Sequence, residues 1–211
     1  GGPGSRLYVT VDGGASWRRA DEADGLPGGN LGRIGLAVYP TDPRIVYALV
    51  EARESALLRS SDGGRSWRTV RSGTGVSPRP FYYSDIFVDP ENELRLYQLH
   101  SRLERSDDGG RTFENIGQGV HPDFHALWID PRDPQHLYAG TDGGVYVSRD
   151  RGASWRMIDN LPVGQLYYVS VDMDVPYNVY GGMQDNGSWK GPSDVWESGG
   201  IRNYHWKEVA F

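Results

Sequence analysis

The sequence predicts an all-β protein: a β-propeller of four-stranded antiparallel blades, with about four and a half blades in this chain. Two observations predict it, a motif that occurs four times and a composition suited to short strands. The 211 residues include 29 Gly, 13 Tyr and 7 Trp, which favours strands joined by tight turns. The motif recurs every 42 to 50 residues, a period typical of propellers and solenoids.

The repeated motif is an acidic, glycine-rich turn that ends in an aromatic residue. Its copies read "TVDGGASW", "SSDGGRSW", "SDDGGRTF" and "SRDRGASW". Glycine permits positive φ in a tight hairpin, and aspartate hydrogen-bonds nearby backbone N–H groups. We therefore expect four hairpins whose aromatic residues pack between blades. They are called box hairpins below, and their aspartates are Asp12, Asp62, Asp108 and Asp150.

A second landmark keeps the same period and divides each repeat into strands. It reads "YPTDPRIVY", "VDPENELRLY", "IDPRDPQHLY" and "VDMDVPYNVY", and its prolines suit a turn, where a missing N–H does no harm. Each unit then reads as strand, Asp-Pro turn, strand, short link, strand, box hairpin, strand. The expected blades are 6–20 (a half blade), 31–71, 82–116, 124–158 and 166–211, all within one domain.

A half blade leaves unpaired strand edges, which proteins normally cover. One expectation is that the chain is a fragment of a longer propeller, whose edges are covered by further sequence or by a second copy in a two-fold dimer. The alternative is that the terminal strands pair within one chain and close a five-bladed ring.

The pattern S/T-x-D-x-G-x-S/T-W/F resembles the Asp-box of the bacterial neuraminidase repeat and of sortilin-like propellers. This resemblance implies that the box hairpins are folding devices remote from the active site. The segments "HALWIDP", "GTDGGVYVS" and "GGMQDNGSW" are similar to bacterial propellers described as glycosyl-hydrolase-type or sortilin-like. That likeness implies a hydrolase or a binding protein, and a secreted or periplasmic location. One carboxylate per turn is too few for calcium.

Composition excludes several other classes. The net charge is −6 without any basic cluster, which argues against nucleic-acid and anionic-membrane partners. Cysteine is absent, so disulfides and thiolate chemistry are excluded. The sequence has no apolar run long enough to span a bilayer, and its first ten residues lack the parts of a signal peptide. It also lacks a G-x-S-x-G elbow, a P-loop and a dinucleotide fingerprint.

Metal-ligating residue types are densest in "GVHPDFHALWIDP". His121, Asp123 and His125 alternate, which places them on one face of a strand, and imidazole with carboxylate suits zinc or manganese. Residues two apart on a strand are separated by roughly 6.6 Å, so either Pro122 bends the segment or other blades supply ligands. The alternative is that the histidines hydrogen-bond in a polar channel. Further candidate ligands are His100, Asp142, Asp185 and His205.

Two glycine-rich turns, "GTDGGVY" and "GGMQDNGSW", occupy the same place in successive blades. The second combines Gln184, Asp185 and Asn186 with Trp189, a composition suited to holding a polar substrate. Asp-Gly and Asn-Gly are also favoured hairpin turns, so a purely structural role is the alternative.

Three functions are consistent with these residues. The first is a metal-assisted hydrolase of an ester or phosphoester, with His121, Asp123 and His125 as ligands and Asp142 or Asp185 as base. The second is a glycosidase that uses two of the carboxyl groups of Asp123, Asp142 and Asp185. The third is a non-catalytic propeller that binds a sugar or a peptide on aromatic side chains. The candidate aromatic residues are Tyr167, Tyr168, Trp189 and Trp196.

Overall fold

The computed structural model describes residues 1–80, 82–161 and 163–210. Within these residues it contains eighteen β-strands and two short 3-10 helices, Glu22–Asp24 and Asn203–His205. The strands form four four-stranded antiparallel sheets and one two-stranded sheet. The predicted all-β fold with four-stranded blades is therefore confirmed. None of the described helices is long and apolar enough to cross a membrane.

Each four-stranded sheet is one blade. The half blade pairs β1 (Tyr8–Val9) with β2 (Arg18–Arg19). The first blade contains β3 (Ile34–Val38), β4 (Val46–Val50), β5 (Ala56–Ser60) and β6 (Arg68–Ser72). The second contains β7 (Asp85–Asp89), β8 (Asn92–Leu99), β9 (Leu103–Ser106) and β10 (Glu114–Asn115). The third contains β11 (Phe124–Ile129), β12 (Leu137–Thr141), β13 (Gly144–Ser148) and β14 (Arg156–Met157). The fourth contains β15 (Leu166–Val171), β16 (Asn178–Met183), β17 (Ser188–Pro192) and β18 (Lys207–Ala210).

Strand order fixes which loops share an end of the molecule. In every blade, consecutive strands are hydrogen-bonded neighbours and run antiparallel. The segment that enters the first strand therefore lies at the same end as the turn between the second and third strands. The Asp-Pro turn and the box hairpin lie at the opposite end. We call these the mouth end and the box end.

The box hairpins are closed by hydrogen bonds from serine or threonine to aspartate. In the first blade, Asp62 accepts the backbone N–H of Ser66 at 2.9 Å and its hydroxyl at 2.6 Å. Gly64 has φ +83°, a conformation that glycine adopts without steric cost. The Ser66 hydroxyl, followed by its backbone N–H, lowers the pKa of Asp62. The N–H of Gly63 bonds the carbonyl of Arg44 and so ties the hairpin to the Asp-Pro turn.

Three clusters of buried hydrophobic residues form the cores between successive sheets. The first joins the half blade to the first blade and contains Trp67, which is 8% exposed. The second joins the first and second blades, and the third joins the second and third blades through residues such as Leu99 and Phe124. The expected packing of box aromatics between blades is found for Trp67, Phe113 and Trp155, each of which packs in the cluster shared with the preceding blade. It is not found for Trp17, which is 58% exposed, because no described blade packs on that face of the half blade.

The fourth blade contributes no residue to these three described clusters. Its first strand is open to solvent, with Tyr168 86% exposed. Polar contacts join it to the third blade, including one from Asn203 Nδ2 to the carbonyl of Asp159 at 3.4 Å. The apolar faces of the third and fourth blades therefore do not close together as the others do.

Candidate functional site

The candidate site lies at the mouth end, where segments of the second, third and fourth blades meet. Three kinds of segment contribute: the approach to β7, the approach to β11, and the turns that follow β12 and β16. None of these segments is adjacent to another in the sequence, and the propeller topology places them side by side.

Asp123 is held by a tyrosine from the neighbouring blade. The hydroxyl of Tyr83, which is 1% exposed, donates a hydrogen bond to Asp123 Oδ1. The same hydroxyl accepts a hydrogen bond from Arg79 Nη1 at 2.9 Å. Asp123 itself has φ +63°, in the left-handed region that non-glycine residues seldom adopt. The surrounding structure therefore fixes this carboxylate in an unusual backbone position.

His125 pairs with Asp142 across the β11–β12 pair. Its Nε2 lies 2.9 Å from Asp142 Oδ1, and the side chains are 37% and 21% exposed. The imidazole packs edge-on against two tyrosine rings, with centroid distances of 5.6 Å to Tyr82 and 5.1 Å to Tyr83. The Asp142 N–H also donates to the carbonyl of Asp123 at 3.3 Å. The carboxyl groups of Asp123 and Asp142 are thus part of one connected cluster.

The turn after β16 reaches this cluster from the fourth blade. Asn186 Nδ2 donates to the carbonyls of Asp142 and Gln184, both at 2.8 Å. His121 Nε2 lies 3.2 Å from the carbonyl oxygen of Asp185. Asp185 has φ +58° and an exposed side chain. The structure therefore brings the turns of both glycine-rich motifs together at the mouth end.

The other predicted substrate-binding residues support this turn. Trp189 Nε1 donates to the carbonyl of Asn186 at 2.7 Å, and the side chain is only partly exposed. Gln184 Oε1 accepts the hydroxyl of Tyr167 from β15. The indole N–H of Trp189 and the amide oxygen of Gln184 are therefore engaged within the fourth blade.

The predicted metal ligands do not converge. His121 faces the Asp185 carbonyl, Asp123 faces Tyr83, and His125 faces Asp142. In residues 1–80, 82–161 and 163–210, no group of three or more His, Cys, Asp or Glu side chains is placed to hold a metal ion. The left-handed backbone at Asp123 breaks the strict alternation on which the prediction of one shared face depended. The residues present do not fit a zinc or manganese site.

Two further candidate ligands lie elsewhere. His100 is buried and pairs with Glu104 at 3.3 Å. His205 pairs with Glu197 at 3.1 Å in the connection from β17 to β18, which topology places at the box end. The structure therefore does not place His205 with His121, Asp123 and His125. Trp196 occupies the same connection and is fully exposed.

Three residues of the cluster were missed from the sequence: Arg79, Tyr82 and Tyr83. They lie in "RPFYYSD", which enters β7 as "HPDFH" enters β11. Because both segments occupy the same position in successive repeats, the repeat itself could have indicated Arg79, Tyr82 and Tyr83 as candidates.

A cleft opens at the mouth end of the first blade. Its volume is about 610 Å³. Both segments that line it, the turn after β4 and the link from β6 to β7, lie at this end. Its hydroxyl-bearing and charged side chains suit a ligand rich in hydroxyl groups. The lining residues are Arg53, Glu54, Ser55, Gly73, Thr74, Ser77 and Pro78.

The chain is similar in sequence to part of several known proteins. No protein-family model matches the chain. It is 27% identical over 190 residues to the oligoxyloglucan-reducing end-specific xyloglucanase of Emericella nidulans, covering 74% of this chain and 23% of the relative. It is 26% identical over 183 residues to a xyloglucanase of Paenibacillus sp, covering 69% of this chain and 18% of the relative. The chain thus spans about a fifth of the length of these relatives.

Solved structures with the same fold include YCF48 bound to D1 peptide, with a TM-score of 0.53 and 13% identity over 96% of this chain and 61% of that chain. A GH74 enzyme of Niastella koreensis has a TM-score of 0.50 and 19% identity over 83% of this chain and 30% of that chain. Both neighbours are β-propeller proteins. The chain is therefore a set of propeller blades, related in sequence to part of the xyloglucanases.

Proposed function

We propose that this chain is part of a glycoside hydrolase that acts on a polysaccharide or oligosaccharide at the mouth end. The observation that carries the proposal is the cluster in which Asp123, just before β11, and Asp142, just after β12, each have their own hydrogen-bonding partner. The xyloglucanases related in sequence support a carbohydrate substrate. The cleft at the same end presents hydroxyl-bearing and charged side chains, which suit a hydroxyl-rich ligand.

A glycosidase needs one protonated acid and one ionised carboxylate beside the scissile bond. The His125–Asp142 pair supplies the acid, since a proton on it can pass to the glycosidic oxygen as that C–O bond breaks. Asp123 supplies the anion, which either bonds to the anomeric carbon or takes the proton of the water that does. In the first case the His125–Asp142 pair takes a proton from the water that then displaces Asp123 from the anomeric carbon, which restores both groups. In the second case Asp123 releases its proton to solvent and the pair takes one up from solvent, so that water is added across the glycosidic bond in both.

The metal-assisted ester or phosphoester hydrolase is not supported. It required His121, Asp123 and His125 around one ion, and these side chains face three different partners. The named relatives are xyloglucanases, which favours a glycoside hydrolase over an ester or phosphoester hydrolase.

The test is a hydrolysis assay of the full-length natural protein on xyloglucan and other glycans, with and without a chelator. We expect release of reducing sugar that survives chelation, and a loss of about 10²- to 10⁴-fold in Asp142→Asn and Asp123→Asn. Asp133→Asn is the matched control, because Asp133 lies in the Asp-Pro turn at the box end and is 46% exposed. Activity that disappears on chelation, or no cleavage of any glycan, would contradict the proposal.

A further inference from the structure

We infer that Tyr83 is a positioning residue, which together with Arg79 holds Asp123 as the anion that the proposed hydrolysis uses. The inference rests on the proposed function, and it adds a division of roles between the two carboxyl groups. The Tyr83 hydroxyl reaches Asp123 from the second blade, across 40 positions of sequence.

The hydrogen bonds of Tyr83 have a fixed direction. A tyrosine hydroxyl has one proton to donate. Arg79 Nη1 is a permanent donor and bonds the Tyr83 oxygen at 2.9 Å, so the tyrosine proton is directed to Asp123. The guanidinium carbon also lies 5.1 Å from the Tyr83 ring centroid. A cation behind the hydroxyl strengthens its donation to an anionic oxygen.

Burial holds the Tyr83 hydroxyl in place. Tyr83 is 1% exposed, so water cannot replace its hydroxyl without a rearrangement. Burial, followed by the hydrogen bond to Asp123, raises the pKa of Tyr83. The tyrosine therefore remains a proton-bearing donor at every pH at which a glycosidase works.

The carboxyl group of Asp142 has a different partner from that of Asp123. The groups that face it are His125 at 2.9 Å and the Asn186 amide on its carbonyl. His125 presents to Asp142 a ring nitrogen that can either donate or accept a proton, whereas the Tyr83 hydroxyl is only a donor to Asp123. One carboxyl group therefore has a partner suited to proton donation, and the other has a partner suited to a fixed negative charge.

Other polar and charged groups also lie around Tyr83 and Asp123. The Ser101 hydroxyl faces Tyr83, the Ser101 carbonyl accepts the Asp123 N–H at 3.4 Å, and Arg33 bonds the Tyr82 carbonyl and Asp85. The titratable and charged groups around Tyr83 and Asp123 are Arg33, Arg79, Tyr82, Asp85, His121, His125 and Asp142.

The first experiment measures the pH profile of hydrolysis in Tyr83→Phe and in Tyr82→Phe. Both remove one hydroxyl from adjacent tyrosines, and only Tyr83 bonds Asp123. We expect Tyr83→Phe to lower kcat about ten- to hundredfold with little change in KM, and to move the acidic limb up by about one pH unit. Arg79→Gln should move that limb in the same direction by less. An acidic limb that stays at the wild-type pH in Tyr83→Phe would overturn the inference.

The second experiment needs no activity. The ring Cζ of ¹³C-labelled tyrosine is titrated by NMR in the full chain, and the Tyr83 signal is assigned from its absence in Tyr83→Phe. Asp123→Asn should lower the pKa of Tyr83, because it removes the negative charge that favours the protonated form of the Tyr83 hydroxyl. If the pKa of Tyr83 is the same in Asp123→Asn as in the wild type, the inference is wrong even if glycans are cleaved. A shifted titration without cleavage of any glycan upholds the contact and refutes the proposed function alone.

Discussion

The hydroxyl of Ser60 accepts the backbone N–H of Gly64 at 2.9 Å and donates to Asp62 at 2.7 Å, inside the box hairpin of the first blade. Ser60 is 1% exposed, so water does not reach this oxygen. A local sequence motif thus satisfies its own buried polar groups, and the following aromatic residue can then turn into the core.

The Ser60→Ala variant should lose about 1–3 kcal/mol of unfolding free energy, because the buried N–H of Gly64 is left without its partner. Urea denaturation followed by tryptophan fluorescence measures the change. Ser61→Ala is the matched control, since Ser61 is exposed. Equal stability of the two variants would show that the hydroxyl contributes nothing to the hairpin.

Removing the box aromatic should be costly only where a neighbouring blade covers it. Trp67→Ala is expected to lower the unfolding free energy by about 3–5 kcal/mol, because the side chain is 8% exposed within the first core cluster. Trp17→Ala should have a much smaller effect, as Trp17 is 58% exposed. Denaturation curves of both variants test this, and similar losses would contradict the observed packing.

The folded state should lose stability in acid. The Ser66 hydroxyl lowers the pKa of Asp62, and the backbone N–H of Asn178 is the main group that lowers the pKa of Asp172 to about 2. A folded-state pKa below the unfolded value of about 3.9 means that the unfolded chain takes up protons first. The stabilisation is complete above that value and is lost as pH falls from about 4 towards 2.

Unfolding free energies measured by urea titration at several pH values give the slope of stability against pH, which tests this loss. Asp172→Asn should flatten it, whereas Asp133→Asn, which alters an exposed aspartate outside these turns, should leave it steep. A wild-type stability that does not change between pH 5 and 2 would be inconsistent with these hydrogen bonds.

The Asn186 amide links the mouth-end turns of the third and fourth blades through Asp142 and Gln184. Asn186→Ala should reduce glycan hydrolysis about tenfold, because Asp142 then loses the contact that fixes its turn. Asn203→Ala removes the other amide contact between these blades, at 3.4 Å from the Asp159 carbonyl, and is expected to retain activity. Hydrolysis rates and circular dichroism spectra of both variants decide the point. The prediction fails if Asn186→Ala is as active as Asn203→Ala.

Much of the fold follows from short-range sequence. The box motif contains its own hydrogen-bonding partners within four residues, as Asp62 and Ser66 show. The alternation of strands such as Phe124–Ile129 requires only a period of two. These signals predict strands, hairpins and blades without knowledge of how the blades pack.

The candidate site was predicted less completely. Asp142 and Asp185 were predicted because acidic residues stand out in glycine-rich turns, and Asp123 because it alternates with two histidines. Tyr83 was not, because a tyrosine before a strand looks like ordinary blade packing. The alternation of His121, Asp123 and His125 predicted one shared face, but the positive φ of Asp123 removes that regularity.

The sequence alone therefore determined the repeat, the strands and the self-contained turns, because each depends on interactions within a few residues. Only the tertiary structure decided which side chains meet at the mouth end. Tyr83 and Asp123 are 40 positions apart, and Asn186 and Asp142 are 44 apart. Such pairs form because neighbouring blades pack side by side, and no local pattern in either segment encodes the partner that this packing supplies.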